Sequence, residues 1–475
     1  MNPSETGTYN ESDQMKAITG GVMKSQHRER ENSSLWLLAW PIVMELLLQY
    51  VMGAADTLMI SSISDRAASA VGLSNQVLHA VNMLFLFVNA GAGIVLAVRW
   101  GSGRKEEAGQ VAALAIRLNL VIGIVLGIAI LFGKDIILEA MQVPAEVLPD
   151  AKIYLGVVGA GTVLVALHTS AAASIRSSGD TRGPMYAAVA MNVVHLSLNY
   201  AFIYGVFGIP ELGTQGVAIS TIVSRTLAVV FSIWLLYRTF PSLFQRLRMN
   251  ASTLSTFKDI CKVGWPITLS NSSYTYVQTV LFSFIASVGV APLAAFTYMN
   301  TIQGLPTMIG SAIGLAVQIR IGQWYGAGRV KESHQSAYAA VWMGWAIMSI
   351  IAIALCLFRN SIIGMYTDDP EIASLMMTIF LLYLVLQPLK MTTMGFAQSL
   401  YAVGDNKYVT FAGMGSMWIL GAGGAYWLGI RLELGLMGIY AALMLDECAR
   451  GAFAWLRWRS GRYRLKSTIG TASKG

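Results

Sequence analysis

Long apolar runs, about a dozen of them, follow one another along almost the whole chain, each near the roughly 20 residues a helix needs to cross a bilayer. Their approximate bounds are 35–61, 68–98, 108–132, 150–175, 184–205, 214–237, 258–287, 292–318, 335–357, 373–401, 408–430 and 434–456. In hydrocarbon every backbone N–H and C=O must be satisfied within the protein, which leaves helices and closed barrels. Barrel strands would appear as shorter, alternating segments, the opposite of these runs. Charged residues make up only 12% of the chain and mean hydropathy is +0.57, so little is left to build a soluble domain. The predicted fold class is an all-α polytopic membrane protein with twelve transmembrane helices.

The chain also repeats itself at a spacing of about 225 residues, a duplication of the kind transporter folds are built from. Trp40-Pro41-Ile42 is matched by Trp265-Pro266-Ile267, and Gly179-Asp180-Thr181 by Gly404-Asp405-Asn406. Leu96-Ala97-Val98-Arg99 is answered by Leu315-Ala316-Val317 and then Arg320. Six spans per copy is an even number, so both copies enter the membrane in the same direction. Two six-helix lobes follow, related by a parallel pseudo-two-fold axis along the membrane normal. The expected divisions are a polar tail (1–33), a first lobe (34–237), a connector (238–257), a second lobe (258–457) and a basic tail (458–475).

With the N-terminus in the cytoplasm, inward segments carry about 24 Lys and Arg against about 5 outside, as the positive-inside rule requires. A multi-pass protein of the cell membrane is expected, with both termini cytoplasmic. The net charge of +8 then reflects topology and contact with the lipid bilayer, and no basic domain exists for nucleic acid. Cys261, Cys356 and Cys448 are far apart and make neither a disulfide framework nor a zinc motif. No GxxxxGK[ST] phosphate loop is present, which argues against ATP-driven transport within the chain. No metal or other cofactor is implied, and a monomer is expected.

A set of motifs now acquires a family meaning. Pro41 is followed by Ala55-Asp56-Thr57; Arg176-Ser177-Ser178-Gly179-Asp180-Thr181-Arg182-Gly183-Pro184 leads into the fifth span. Asn192 and Leu198-Asn199-Tyr200-Ala201-Phe202-Ile203-Tyr204-Gly205 come next, then Gly213-Thr214-Gln215-Gly216-Val217-Ala218. Gly404-Asp405 and Asp446-Glu447 to Arg450 complete the series. In order and spacing these motifs resemble the multidrug and toxic compound extrusion (MATE) transporters over essentially the whole hydrophobic length. The resemblance implies a V-shaped cavity between the lobes, and export of organic, often cationic, compounds in exchange for Na⁺ or H⁺.

Ionisable groups inside spans are costly and mark function by default. Asp56 matches the family's span-1 aspartate, which the resemblance associates with cation binding or protonation; a transient Na⁺ near it is one reading. Glu45 lies eleven residues earlier, roughly 20° round the helix and about 16 Å along it, with Gln49 one turn beyond on the same stripe. Glu45 is either functional or the partner of a buried base such as Arg225. His195 stands where the family often has asparagine, as a titrating group or a neutral hydrogen-bonding one. Asn192 and Asn199 offer amide oxygens to a cation or substrate.

The second half departs from the family's norfloxacin-exporter branch. Tyr274 replaces a glutamate, with Asn271 and Gln278 nearby, and Lys390 replaces an aspartate; with Gln49 these four are the expected central-cavity residues for substrate. Lys390 is expected to be neutralised by Asp446 or Glu447, while Asp446 and Arg450 form an (i, i+4) pair. This cluster is either a charge network holding the lobe together or a relay for substrate or protons. The expected function is a secondary antiporter exporting small cationic amphiphiles, with protons favoured because the second half's acidic residues are missing. The alternative is a lipid-linked oligosaccharide flippase of related architecture. A membrane-embedded enzyme is disfavoured, since His79, His168 and His195 lie in separate spans with no partner motif.

Overall fold

The computed structural model describes residues 35–206, 210–241 and 251–465. The polar tail (1–33), nearly half of the connector (242–250) and the last residues of the basic tail (466–475) lie outside the described residues. All described secondary structure is helical.

The first half comprises α1 (Leu35–Ser61), α2 (Asp65–Gly101), α3 (Lys105–Ala140), α4 (Leu148–Ala160), α5 (Thr162–Ser177), α6 (Arg182–Tyr204) and α7 (Gly213–Thr239). The second comprises α8 (Ala251–Val288), α9 (Val290–Gly326), α10 (Val330–Leu357), α11 (Arg359–Tyr366), α12 (Pro370–Ala402), α13 (Asn406–Ser416) and α14 (Gly435–Arg459). Among the described residues eight helices are long and apolar enough to cross a membrane, or nine if α4 and α5, bent by 43° at Gly161, count as one span. The last turns of the expected connector are already helix, since α8 begins at Ala251. The run at 408–430 is not one regular helix either: α13 passes into two π-helical stretches, Met417–Gly423 and Tyr426–Arg431.

The repeat is physical, and its register differs from the apparent match of Leu96–Arg99 to Leu315–Arg320. The true counterpart of Gly101-Ser102-Gly103-Arg104 is Gly326-Ala327-Gly328-Arg329, at the same offset as the Trp-Pro pairs. Gly103 and Gly328 adopt φ of 78° and 76°, a left-handed conformation that glycine takes without strain. Arg104 N donates to Arg99 O and Arg329 N to Trp324 O, at 3.1 and 2.9 Å. Arg104 pairs with Glu107 and Arg329 with Glu332 in the first turn of the next helix. The same turn chemistry thus ends α2 and α9 and starts α3 and α10.

Most packing stays within a half. α1 lies on α6, α6 on α7, and α3 on α5; in the second half α12 packs on α9, α10 and α14. The halves meet through their first two helices, α2 against α8 and α9, and α1 against α9. Small residues let these backbones touch. A Cβ on Gly91 would fall 2.3 Å from Ile260 O, and one on Gly264 2.5 Å from Phe87 O. Arg99 donates to Thr256 and pairs with Asp259 at 2.9 Å, and Gln323 Nε2 donates to Ser177 O at 3.0 Å, both across the junction.

Candidate functional site

Three helices of the first half, α1, α6 and α7, build a polar cluster inside otherwise apolar segments. Asp56 of α1 accepts at one oxygen, Oδ1, from both His195 Nε2 (2.9 Å) and Asn199 Nδ2 (2.8 Å) of α6. His195 and Asn199 are one turn apart, so a single helical face presents both side chains to the carboxylate. Behind them α7 supplies Ser224, 3.1 Å from His195 Nδ1, and Ser220, whose hydroxyl donates to Asn199 Oδ1. With Nε2 carrying the proton donated to Asp56, Nδ1 is the acceptor for Ser224. The serines orient the imidazole and the amide, and these in turn orient the carboxylate.

Burial is graded across the cluster. The Asp56 side chain is 28% exposed, His195 7%, and Asn199 is fully buried. The carboxylate is therefore the least buried group of the network. Asn192 is also buried, but both of its amide atoms lack a hydrogen-bond partner and it takes no part in the cluster.

Glu45 belongs elsewhere. Its expected partner Arg225 is replaced by Arg176, whose Nη1 reaches Oε1 at 2.6 Å and Oε2 at 2.9 Å. Arg176 ends α5, and packing brings its side chain, only 18% exposed, back onto α1. Arg225, one turn along α7 from Thr221, makes no ion pair among the described residues. Gln49 is exposed on the α1 surface.

In the second half Arg450 occupies the place that Arg225 holds in the first. It binds Asp446 Oδ2 at 2.8 Å and Glu447 Oε1 at 2.6 Å, and Ser416 donates to Asp446 Oδ1 at 2.7 Å. Arg450 thus engages both acids that were expected to neutralise Lys390, leaving Glu447 Oε2 without a partner among the described residues. Lys390 is 92% buried (8% exposed) and makes no ion pair or hydrogen bond among the described residues. Tyr274 and Asn271 are exposed and Gln278 is half-buried. The two Gly-Asp turns also differ. Asp180 accepts from Arg182 N and Gly183 N and caps α6, whereas Asp405 pairs with Arg457 at 2.6 Å.

Nothing in the sequence singled out Ser220 and Ser224. Their signal was an (i, i+4) pair of small hydroxyls within an apolar run, the pattern by which spans exchange hydrogen bonds. Arg176 was hidden by its position at a helix end, where a basic residue is ordinary.

A duplicated helical bundle with a carboxylate network inside its spans defines a multi-pass membrane transporter. The family model described as MatE matches residues 41–201 and again 266–427, one match in each half. The chain belongs to this family, the MATE transporters. The uncharacterized transporter YisQ of Bacillus subtilis is 31% identical over 434 residues, covering 90% of this chain and 94% of its own. A probable multidrug resistance protein NorM of Thermotoga maritima is 26% identical over 441 residues, covering 91% and 93%. A crystal structure of a MATE protein in the bent conformation superposes with a TM-score of 0.80 at 22% identity, covering 92% of this chain and 96% of that one. An outward-facing multidrug resistance MATE transporter superposes at 0.77 and 22%, covering 93% and 98%.

Proposed function

We propose that the chain is a secondary antiporter that exports small organic, cationic amphipathic compounds in exchange for protons, with Asp56 as the coupling residue. The carrying observation is the Asp56–His195–Asn199 network, in which a partly exposed carboxylate accepts two hydrogen bonds at one oxygen. An ionised carboxylate only accepts, and a protonated one must also donate. Protonation therefore changes what α1 presents to α6, and a change of contact between two helices biases one opening of the cavity over the other. Substrate and proton alternate because each stabilises a different opening. The multidrug resistance names of the NorM relatives support the substrate class. The unpaired Lys390 disfavours a cation site in the second half and supports protons over Na⁺.

Twelve spans complete this reading: the eight long apolar helices, the bent α4–α5 pair, α8, α13 with its π-helical continuation, and α14. They form two six-helix lobes in the cell membrane, with both termini in the cytoplasm. Ethidium efflux from everted vesicles, with proton and sodium gradients imposed separately, tests the function. Efflux driven by the proton gradient and lost in Asp56→Asn is the expected outcome; efflux driven by sodium alone would overturn the coupling ion, and full activity in Asp56→Asn the coupling residue.

A further inference from the structure

A cleft in the second half has a charged floor that nothing so far employs. Its mouth is formed by Tyr274 of α8 and Asn300 of α9, both exposed, and its walls by Gln278 and Gln303. On the floor lie Lys390 and the Asp446–Glu447–Arg450 cluster. Arg450 is fully engaged with the two acids, but two groups on the floor are not. Lys390, 8% exposed, uses none of its three donors, and Glu447 Oε2 is buried without a partner. Two acids and two bases make the floor neutral overall, but neither Lys390 nor Glu447 Oε2 has a contact partner among the described residues. A ligand bearing both a carboxylate and a cation supplies both. The open space is about 30 Å³, the share of one water molecule in the liquid and on the scale of a carboxylate head, far below a whole drug.

We propose that Lys390 is a specificity-determining residue that anchors a carboxylate of the transported compound, the free Glu447 oxygen facing the compound's cationic group. The proposal rests on the export reading and narrows it: favoured substrates are amphiphiles carrying a carboxylate beside their positive charge. The aromatic body of such a compound stays at the mouth against Tyr274, and only its acidic head reaches the floor. The other titratable or charged groups that face Lys390 there are Tyr274, Tyr440, Asp446 and Arg450, and the two acids exceed Arg450 by the one negative charge that Lys390 balances.

A matched pair of dyes tests this. Rhodamine 110 carries a free carboxylate, and rhodamine 123 is its methyl ester. Fluorescence anisotropy with the purified full chain is expected to show the acid binding about tenfold more tightly than the ester, the value of a hydrogen bond to a charged group. Lys390→Met is expected to abolish that preference and Lys390→Arg to keep most of it. Equal binding of the two dyes by the wild-type protein, or an undiminished preference in Lys390→Met, overturns the proposal. Benzoate, compared with benzamide, supplies a second readout on the unaltered protein: it is expected to raise the unfolding temperature, and no rise also counts against the site. Ethidium has no carboxylate, so its export tests the antiport reading alone and separates the two failures.

Discussion

Gly101 and Gly326 are equivalent residues of the two halves, and each is pressed against the backbone of the other half's helix. A Cβ on Gly101 would fall 1.9 Å from Gln323 O, and one on Gly326 would fall 2.0 Å from Val98 O. Val98 and Gln323 are themselves equivalent positions, so one close contact is made twice by pseudo-symmetry. The ends of α2 and α9 are thereby locked together in this conformation.

A side chain at either glycine is expected to pry these helix ends apart. Backbone cannot give way as a flexible side chain can, and overpacking of this kind costs about 1–3 kcal/mol or more. Gly326→Val should expose residues now sealed at the junction. A cysteine placed at Ala97, which is 2% exposed, should resist a water-soluble maleimide in the parent protein and react readily in the Gly326→Val background. Equal protection in both would show that the contact does not close the junction.

The Asp56 network should fail in stages. Asp56→Asn keeps the shape and removes the ionisable group, so gradient-driven efflux should disappear while membrane levels on an immunoblot stay normal. His195→Ala leaves Asn199 as the remaining donor to Asp56 and leaves Ser224 only its bond to Thr221 O, a loss of about 1–3 kcal/mol of hydrogen bonding. Efflux measured across a pH series should then be reduced, with its profile displaced. An unchanged profile would assign His195 to packing alone.

Glu45 and Arg176 are predicted to be structural. Removing one partner of a buried pair leaves an uncompensated charge, typically costing about 3–5 kcal/mol, whereas replacing both with apolar residues is often neutral. Glu45→Gln should therefore lower the unfolding temperature in detergent, and Glu45→Leu combined with Arg176→Met should restore much of it. A Glu45→Gln protein with full stability and no transport would return this residue to the coupling site.

The two Gly-Asp turns should respond differently to the same change. Asp180→Ala removes a helix cap, worth about 1 kcal/mol. Asp405 makes no capping hydrogen bond, but Asp405→Ala strips Arg457, whose side chain is 10% exposed, of its carboxylate, so its loss of thermal stability should be the larger. Equal losses would mean that Arg457 finds another anion.

The apolar runs and the duplication were legible in the chain because both are one-dimensional signals. Bilayer thickness sets the length of a span, and gene-scale repetition leaves Trp-Pro and Gly-Asp pairs at a constant offset. Asp56, His195 and Asn199 were legible for a related reason: a polar side chain in a long apolar run is costly enough to stand out. Partnership was decided in three dimensions. Arg176 rather than Arg225 reaches Glu45, and Arg450 rather than Lys390 takes both acids, because an ion pair depends on which helix faces which. Rotations of α1, α5 and α14 about their own axes are set by packing against neighbours, which no span's own sequence specifies. The repeat therefore prescribed two similar bundles, while tertiary packing chose the carboxylate left partly exposed in the first and the lysine left unpaired in the second.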